Sequence, residues 1–274
     1  MAVTMAEITK LRNLTSAGLM DCKKALAETN GDIEAAVEIL RKKGQAVAAK
    51  REDREASEGC VLSKCEGGFA AIVALKCETD FVAKNAGFVA LTQKILDAAV
   101  ANKVKTLDEL KAVEIEGRTV EALIVEEVGK TGEKMELGAY EIVEAPSTTS
   151  YNHLGNKLST IVGFNLENVD YQVGRDVAMQ AASMNPVATT RAEVPEKIVN
   201  QELEIGREKA RQEGKPEAIL DKIAEGRLNK FYKESVLMEQ EFIKDPTLTI
   251  EKYLNNAAKG LVVTTFKRVN LNQD

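Results

Sequence analysis

At 274 residues, 44% of them apolar, the chain can bury a sizeable core, and with aromatics at 4% and no Trp that core has to be built from aliphatic side chains and Ala. A formal net charge of −6 is opposite to the balance of a protein that grips phosphate backbones, and no apolar run approaches the roughly 20 residues of a membrane span. Nucleic acid and membrane are therefore excluded as primary partners, and the N-terminus, which carries neither a secretory h-region nor an Arg/Ser-rich transit segment, points to a cytoplasmic protein.

The first predicted elements are three short helices over residues 1–44. Thr4 and Glu7 have the spacing of a capping box, and Ile8 and Leu11 line one face of a helix that ends before Gly18. Leu19, Cys22 and Leu26 recur at helical spacing in a second helix, closed by Asn30-Gly31. Asp32 caps a third with the stripe Ile33, Val37 and Leu40; Lys42 and Lys43 fall in its expected last turn and Gly44 ends it. Such a bundle is too small for an enzyme and reads as a docking module. Residues 45–58 are polar and Ala-rich, as in a solvated linker.

A first α+β half is expected over residues 59–145. Val61–Cys65 and Phe69–Cys77 read as a hairpin around Glu66-Gly67-Gly68, where glycine supplies the positive φ of a tight turn. Phe88, Leu91, Ile95 and Ala98 then mark an amphipathic helix. Another spans Val120–Val128 and stops at Gly129, and Met135–Val143 alternates like a strand. The order recurs over residues 146–274: Ser150–Thr160 and Ile161–Leu166 as strand, turn, strand, then a helix through Val177, Ala181 and Met184, and a last strand at Leu261–Phe266. Within this half, at about 195–235, lies an expected antiparallel helical hairpin. Pro195 sits in the first turn of one helix, Gly214-Lys215-Pro216 makes the turn, and Ile198, Val199, Leu203 and Ile205 face Leu220, Ile223, Leu228 and Phe231. The expected class is α+β: a helical bundle, two related core halves and an inserted hairpin.

Catalytic and metal-binding patterns are missing. Gly129-Lys130-Thr131 imitates a phosphate loop, but the required earlier glycine is Ile124, and a helix precedes where a strand should. Cys22, Cys60, Cys65 and Cys77 are irregularly spaced with one histidine, His153, to help them, so they read as small buried thiols, not zinc ligands. No nucleophile accompanies His153, and no carboxylate pair stands out for acid–base work. No cofactor and no metal are expected. Thr79-Asp80-Phe81-Val82 differs: Thr79 has the place of an N-cap and Asp80 lies in the first turn, where the helix dipole favours it. The helix they start is expected to be cut short by Gly87. Patterning leaves Phe81 two directions: back onto the hairpin as core, the commoner fate of an aromatic, or outward on a knob, as interface hot spots are presented.

Four segments together resemble the elongation factor Ts family, and the likeness covers nearly the whole chain. Leu11–Lys24 (LRNLTSAGLMDCKK) is similar to that family's N-terminal signature and Cys77–Gly87 (CETDFVAKNAG) to its central one; Ser150–His153 and Glu225-Gly226-Arg227 also match. The resemblance implies a guanine-nucleotide exchange factor that binds GDP-loaded elongation factor Tu, without covalent chemistry of its own. It implies a ubiquitin-associated-like fold for residues 1–44 and a coiled coil for the hairpin. It further implies that Thr79, Asp80, Phe81 and Val82 form the contact that disturbs the partner's magnesium site, with Phe81 as wedge, and that Met20, Lys23, Thr131, Gly132 and His153 support it. The family often has an apolar residue where Thr131 stands, so a contact there would be weaker or different. Some members are dimers, which leaves a homodimer open. The alternative is a plain adaptor that docks through its N-terminal bundle.

Overall fold

A computed structural model describes residues 3–15 and 17–272 of the chain. Three helices open it: α1 (Met5–Thr15), α2 (Leu19–Glu28) and α3 (Ile33–Ala49). The capping box is formed, with the Thr4 N–H donating to Glu7 Oε2 at 2.8 Å and the Glu7 N–H to Thr4 Oγ1 at 3.3 Å. Asn30 and Gly31 take positive φ, and the Gly31 N–H closes α2 on the Leu26 carbonyl at 2.8 Å. Asp32 accepts from the Ala35 N–H at 3.1 Å and starts α3. Ile8, Leu11, Cys22, Ala25, Leu26 and Ala36 form the buried centre of this bundle.

Two glycines depart from expectation for one shared reason. Gly44 does not end α3, which continues through the Ala-rich turn to Ala49, so Lys42 and Lys43 stand mid-helix, with Lys43 2.5 Å from Asp21. Gly129 does not end its helix either. That helix, α7 (Val120–Thr131), runs two residues further and stops at Gly132, whose φ of 73° provides the left-handed cap. The two glycines meet. A Cβ on Gly129 would lie 2.7 Å from the Gly44 Cα, so α3 and α7 approach backbone to backbone there.

The hairpin follows as β1 (Glu58–Glu66) and β2 (Phe69–Cys77), turning on Gly67 at φ 57°. Then come α4 (Asp80–Ala83), α5 (Ala86–Ala101), α6 (Leu107–Ala112), the short pair β3 (Glu114–Ile115) and β4 (Arg118–Thr119), α7 (Val120–Thr131) and β5 (Met135–Glu144). These strands order as β1-β2-β5. As the middle strand, β2 is buried along nearly its whole length, which explains its unbroken apolar run from Phe69 to Leu75.

The pattern returns with β6 (Ser147–Asn152), β7 (Leu158–Phe164), α8 (Tyr171–Met184), α9 (Glu196–Gln212), α10 (Leu220–Ser235), β8 (Glu241–Phe242), β9 (Asp245–Thr249), α11 (Ile250–Ala257) and β10 (Val263–Asn270). Here the order is β10-β7-β6, so again the last strand returns to the second strand of its hairpin. β7 pairs antiparallel with both neighbours, Val162 opposite Thr149 on one side and Phe266 on the other. The last strand starts two residues later than expected and runs on to Asn270. Val162, Phe164, Val177, Ala181, Leu237, Ile250 and Leu254 lie in one apolar cluster. By contacts the chain divides into two compact units, Met1–Leu62 with Val73–Tyr140 and Leu271–Asp274, and Ser63–Ile72 with Glu141–Asn270. Among the described residues no helix is long and apolar enough to cross a membrane.

The α9/α10 hairpin forms, with Leu220 buried and Ile198, Val199 and Phe231 packed inside as expected, but its helices also meet on small residues that the expected seam left out. Gly206 lies against Ala224, where an added Cβ would stand 3.0 Å from the Ala224 Cα, and Ala210 is also buried. Ile205 is left 37% exposed. Ile198, Val199 and Phe231 pack at the hairpin's base on Ala188, Val194 and Val236. Small residues prevail because they let the helix backbones come closer than a ladder of branched side chains would. Pro195 caps α9 from outside the first turn, and the start of the second helix at Glu217 is a 3-10 turn that becomes α-helical at Leu220.

Two glycine substitutions should move stability in opposite directions, read as urea midpoints. Gly129→Val, forced against the Gly44 backbone, is expected to destabilise by about 1–3 kcal/mol. Gly226→Ala, in α10 with open space around the new methyl, is expected to stabilise by about 0.5–1 kcal/mol through helix propensity alone.

Candidate functional site

Helix α4 is only four residues long, too short to be stable by its own hydrogen bonds. It is pinned at both ends. Thr79 is the N-cap, its Oγ1 accepting from the Val82 N–H at 3.4 Å. Lys84 closes the turn, and Asn85 caps the next helix by accepting from the Gly87 N–H at 2.8 Å. Gly87 therefore belongs to the first turn of α5 and is not what cuts α4 short.

The direction of Phe81 follows from this geometry. Ala83 is the residue of α4 that turns inward, with 7% of its surface exposed. Two positions earlier is about 200° around a helix, so Phe81 points to the opposite side. It is 83% exposed, more than any other Phe or Tyr among the described residues. The commoner fate of an aromatic does not apply here. Asp80 beside it pairs with Lys84 at 2.6 Å, one turn along, and that pairing raises the Lys84 pKa. Val82 is half-buried.

Behind Thr79 stands Glu133. One carboxylate oxygen accepts from the Thr79 N–H at 3.0 Å and the other from its hydroxyl at 2.6 Å. The loop just past α7 thus comes together with the Thr79–Val82 segment. Below it, the Cys77 thiol donates to the Thr79 carbonyl at 3.2 Å. Burial first, and then the nearby Glu133 charge, push that thiol up to about 12, so it stays protonated and unreactive. All four cysteines are free, three of them buried and Cys65 half-buried, and among the described residues no group of three His, Cys, Asp or Glu could hold a metal ion.

The remaining candidates are spread over the fold. Met20 and Lys23 lie at i and i+3 on α2, both exposed, Met20 at 59%. Thr131 and Gly132 are the end of α7 and its cap. His153 follows β6 in the other compact unit; its Nδ1 is 2.9 Å from the Tyr151 hydroxyl, and the Arg175 guanidinium sits over the Tyr151 ring at 5.7 Å. Sequence reading passed over Glu133, which lies 54 positions from the residue it holds, and also Tyr151 beside His153. An acidic residue directly after a helix-ending glycine is too common a pattern to have singled Glu133 out.

Comparison with known proteins bears on the whole chain. A family model described as Elongation factor TS matches residues 78–273. Proteins named Elongation factor Ts are similar throughout: one from Porphyromonas gingivalis is 58% identical over 275 residues, with both chains covered completely. One from Azobacteroides pseudotrichonymphae is 53% identical, also over the full length of both. A third, from Amoebophilus asiaticus, is 51% identical across 98% of this chain and 99% of its own. On this match, which runs through the Thr79–Val82 knob and both sheets, the chain belongs to the elongation factor Ts family.

Proposed function

We propose that this chain is a guanine-nucleotide exchange factor for elongation factor Tu and that Phe81 is its wedge. The observation that carries the reading is an aromatic side chain 83% exposed on a one-turn helix whose N-terminus is fixed by a capping hydroxyl and a carboxylate. Burying a Phe side chain is worth about 1.5–3 kcal/mol, and here that free energy is withheld from the chain's own core. It becomes available to a partner surface that can receive the ring.

The partner's nucleotide would be held by backbone donors on its phosphates and by Mg²⁺ bridging phosphate oxygens. Magnesium demands near-ideal octahedral geometry, so a small displacement of the element that carries its ligands weakens nucleotide and metal together. The wedge acts by binding that displaced state better than the undisplaced one. The coupling is reciprocal: GDP and the factor weaken each other, and incoming GTP drives the factor off. Asp80, Thr79 and Val82 support the ring at the contact. Met20 and Lys23 on the N-terminal bundle, Gly132 at the end of α7 and His153 supply affinity away from the wedge. Nothing in this scheme needs covalent chemistry. An adaptor docking through α1–α3 alone would bind elongation factor Tu without accelerating release.

Release of a fluorescent GDP from elongation factor Tu measures the difference. Wild-type chain should accelerate it, and Phe81→Ala should lower the maximal stimulated rate by about 30-fold, the scale of a 2 kcal/mol hot spot. Its thermal midpoint should stay within about 2 °C of wild type, because an exposed ring contributes little to the fold. Undiminished stimulation by Phe81→Ala would remove the wedge from the reading. Met20→Asp should behave differently, raising the half-saturating factor concentration by about tenfold while the maximal rate is kept. A fall in maximal rate alone would contradict the docking role of α2.

A further inference from the structure

A wedge displaces its target only if its mount yields less than the target does. Helix α4 has almost no stiffness of its own, so the resistance has to come from what holds Thr79. That holding is a chain of bonds leading back to α7. The Thr131 hydroxyl donates to the Glu127 carbonyl at 3.0 Å, inside the last turns of the helix. Its oxygen accepts from the Glu133 N–H at 3.2 Å, which fixes the loop after Gly132 and aims the Glu133 carboxylate. That carboxylate takes both donors of Thr79, and the Thr79 oxygen then takes the Val82 N–H.

A second carboxylate crosses in the reverse direction. Glu78, the residue before Thr79, accepts from the Lys134 N–H at 2.6 Å, the residue after Glu133. Residues 78–79 and 133–134 therefore form a reciprocal clasp, each pair giving one carboxylate and receiving one backbone N–H. Arg51 at 3.2 Å and Arg54 at 3.3 Å, from the segment after α3, close on Glu78 as well. Charge-assisted bonds of this kind are the strong ones, and two run side by side.

We infer that Glu133 is the positioning residue of the wedge: its clasp on Thr79 keeps α4 wound and Phe81 outward while the ring is pressed into the partner. The inference rests on the exchange reading above. It also gives Thr131 a task inside this chain, holding Glu133, in place of a contact with the partner. Because the clasp governs how firmly the ring is backed and not how the two proteins meet, losing it lowers the maximal rate more than the affinity.

The test uses the full chain, with stimulated GDP release measured over a range of factor concentrations and amide hydrogen exchange of Thr79 and Val82 read by NMR. Glu133→Ala should lower the maximal rate by about tenfold, leave half-saturation within about twofold, and speed exchange of the Thr79 amide by about tenfold or more. Thr79→Val should show part of the same loss, and Thr79→Ser, which keeps the hydroxyl, should retain the Thr79 amide protection that Thr79→Val loses; this pair decides if Glu133→Ala does not fold. In the double variant Glu133→Ala with Thr79→Val the two losses should be less than additive, since both break the Thr79 hydroxyl–Glu133 bond, while Thr79→Val also removes the cap on the Val82 N–H. Unchanged Thr79 protection in Glu133→Ala overturns the clasp, and lost protection with a full maximal rate overturns its role in exchange. A wild-type chain that released no GDP would overturn the exchange reading itself, and the rate part of the inference with it, while the amide measurement would still report the clasp separately.

Discussion

Strand β2 is apolar from Phe69 through Leu75 and buried along nearly its whole length, as a strand with neighbours on both edges must be, and Thr79 lies two residues beyond its end. A buried middle strand is the part of a sheet least free to move, since both rows of its backbone hydrogen bonds are engaged and its side chains are packed. The segment that follows inherits that anchorage. It leaves the sheet at Cys77, whose thiol is bonded to the Thr79 carbonyl, and becomes helical at once. A four-residue helix in the middle of a loop would fray; the same helix at the end of such a strand, gripped by a carboxylate, keeps one shape.

This arrangement separates two demands that conflict in a binding protein. A core wants its aromatics inside, and here Phe69, Phe88 and Phe164 are fully buried. A surface that must push on another molecule wants an aromatic outside. The chain meets both by giving Ala83 the inward position of α4, so that the small residue touches the core and the large one does not. Exchanging the two would bury the ring and abolish the knob, with little change in composition.

What could be read from the sequence was what is local. Thr4 with Glu7, Asp32 and Thr79 each announce a helix start because the cap and the N–H it satisfies lie within three residues. The hairpin turn at Gly67 and the left-handed pair Asn30-Gly31 are local in the same way. Gly44 and Gly129 misled because a glycine at the end of an apolar stripe is the usual terminator, and nothing near either one reveals that another helix backbone lies against it. The small-residue contact of the α9/α10 hairpin was missed for a similar reason: Gly206 and Ala224 matter through the space they leave empty. Phe81 lay beyond patterning altogether, since a single turn offers no periodicity to say which side faces in. Family likeness pointed to the knob; the backbone of α4 supplied its direction, and Glu133 could be found only once residues 54 positions apart stood side by side.

The shared connectivity of the two sheets has a consequence for how the chain comes off the ribosome. In each, a hairpin forms from neighbouring residues, while the strand that completes the sheet arrives only after several helices have been made. Closing such long loops is entropically slow, so the middle strand spends the interval with one edge unpaired. For β7 the wait is the longer, because residues 165–262 all precede β10, a longer stretch than the 78–134 that separate β2 from β5. Its buried stretch from Ser159 to Phe164, which carries Ile161, Val162 and Phe164, then stands open to pairing with a wrong edge. Vectorial synthesis thus exposes the second sheet, and not the knob, as the place where misassembly would begin.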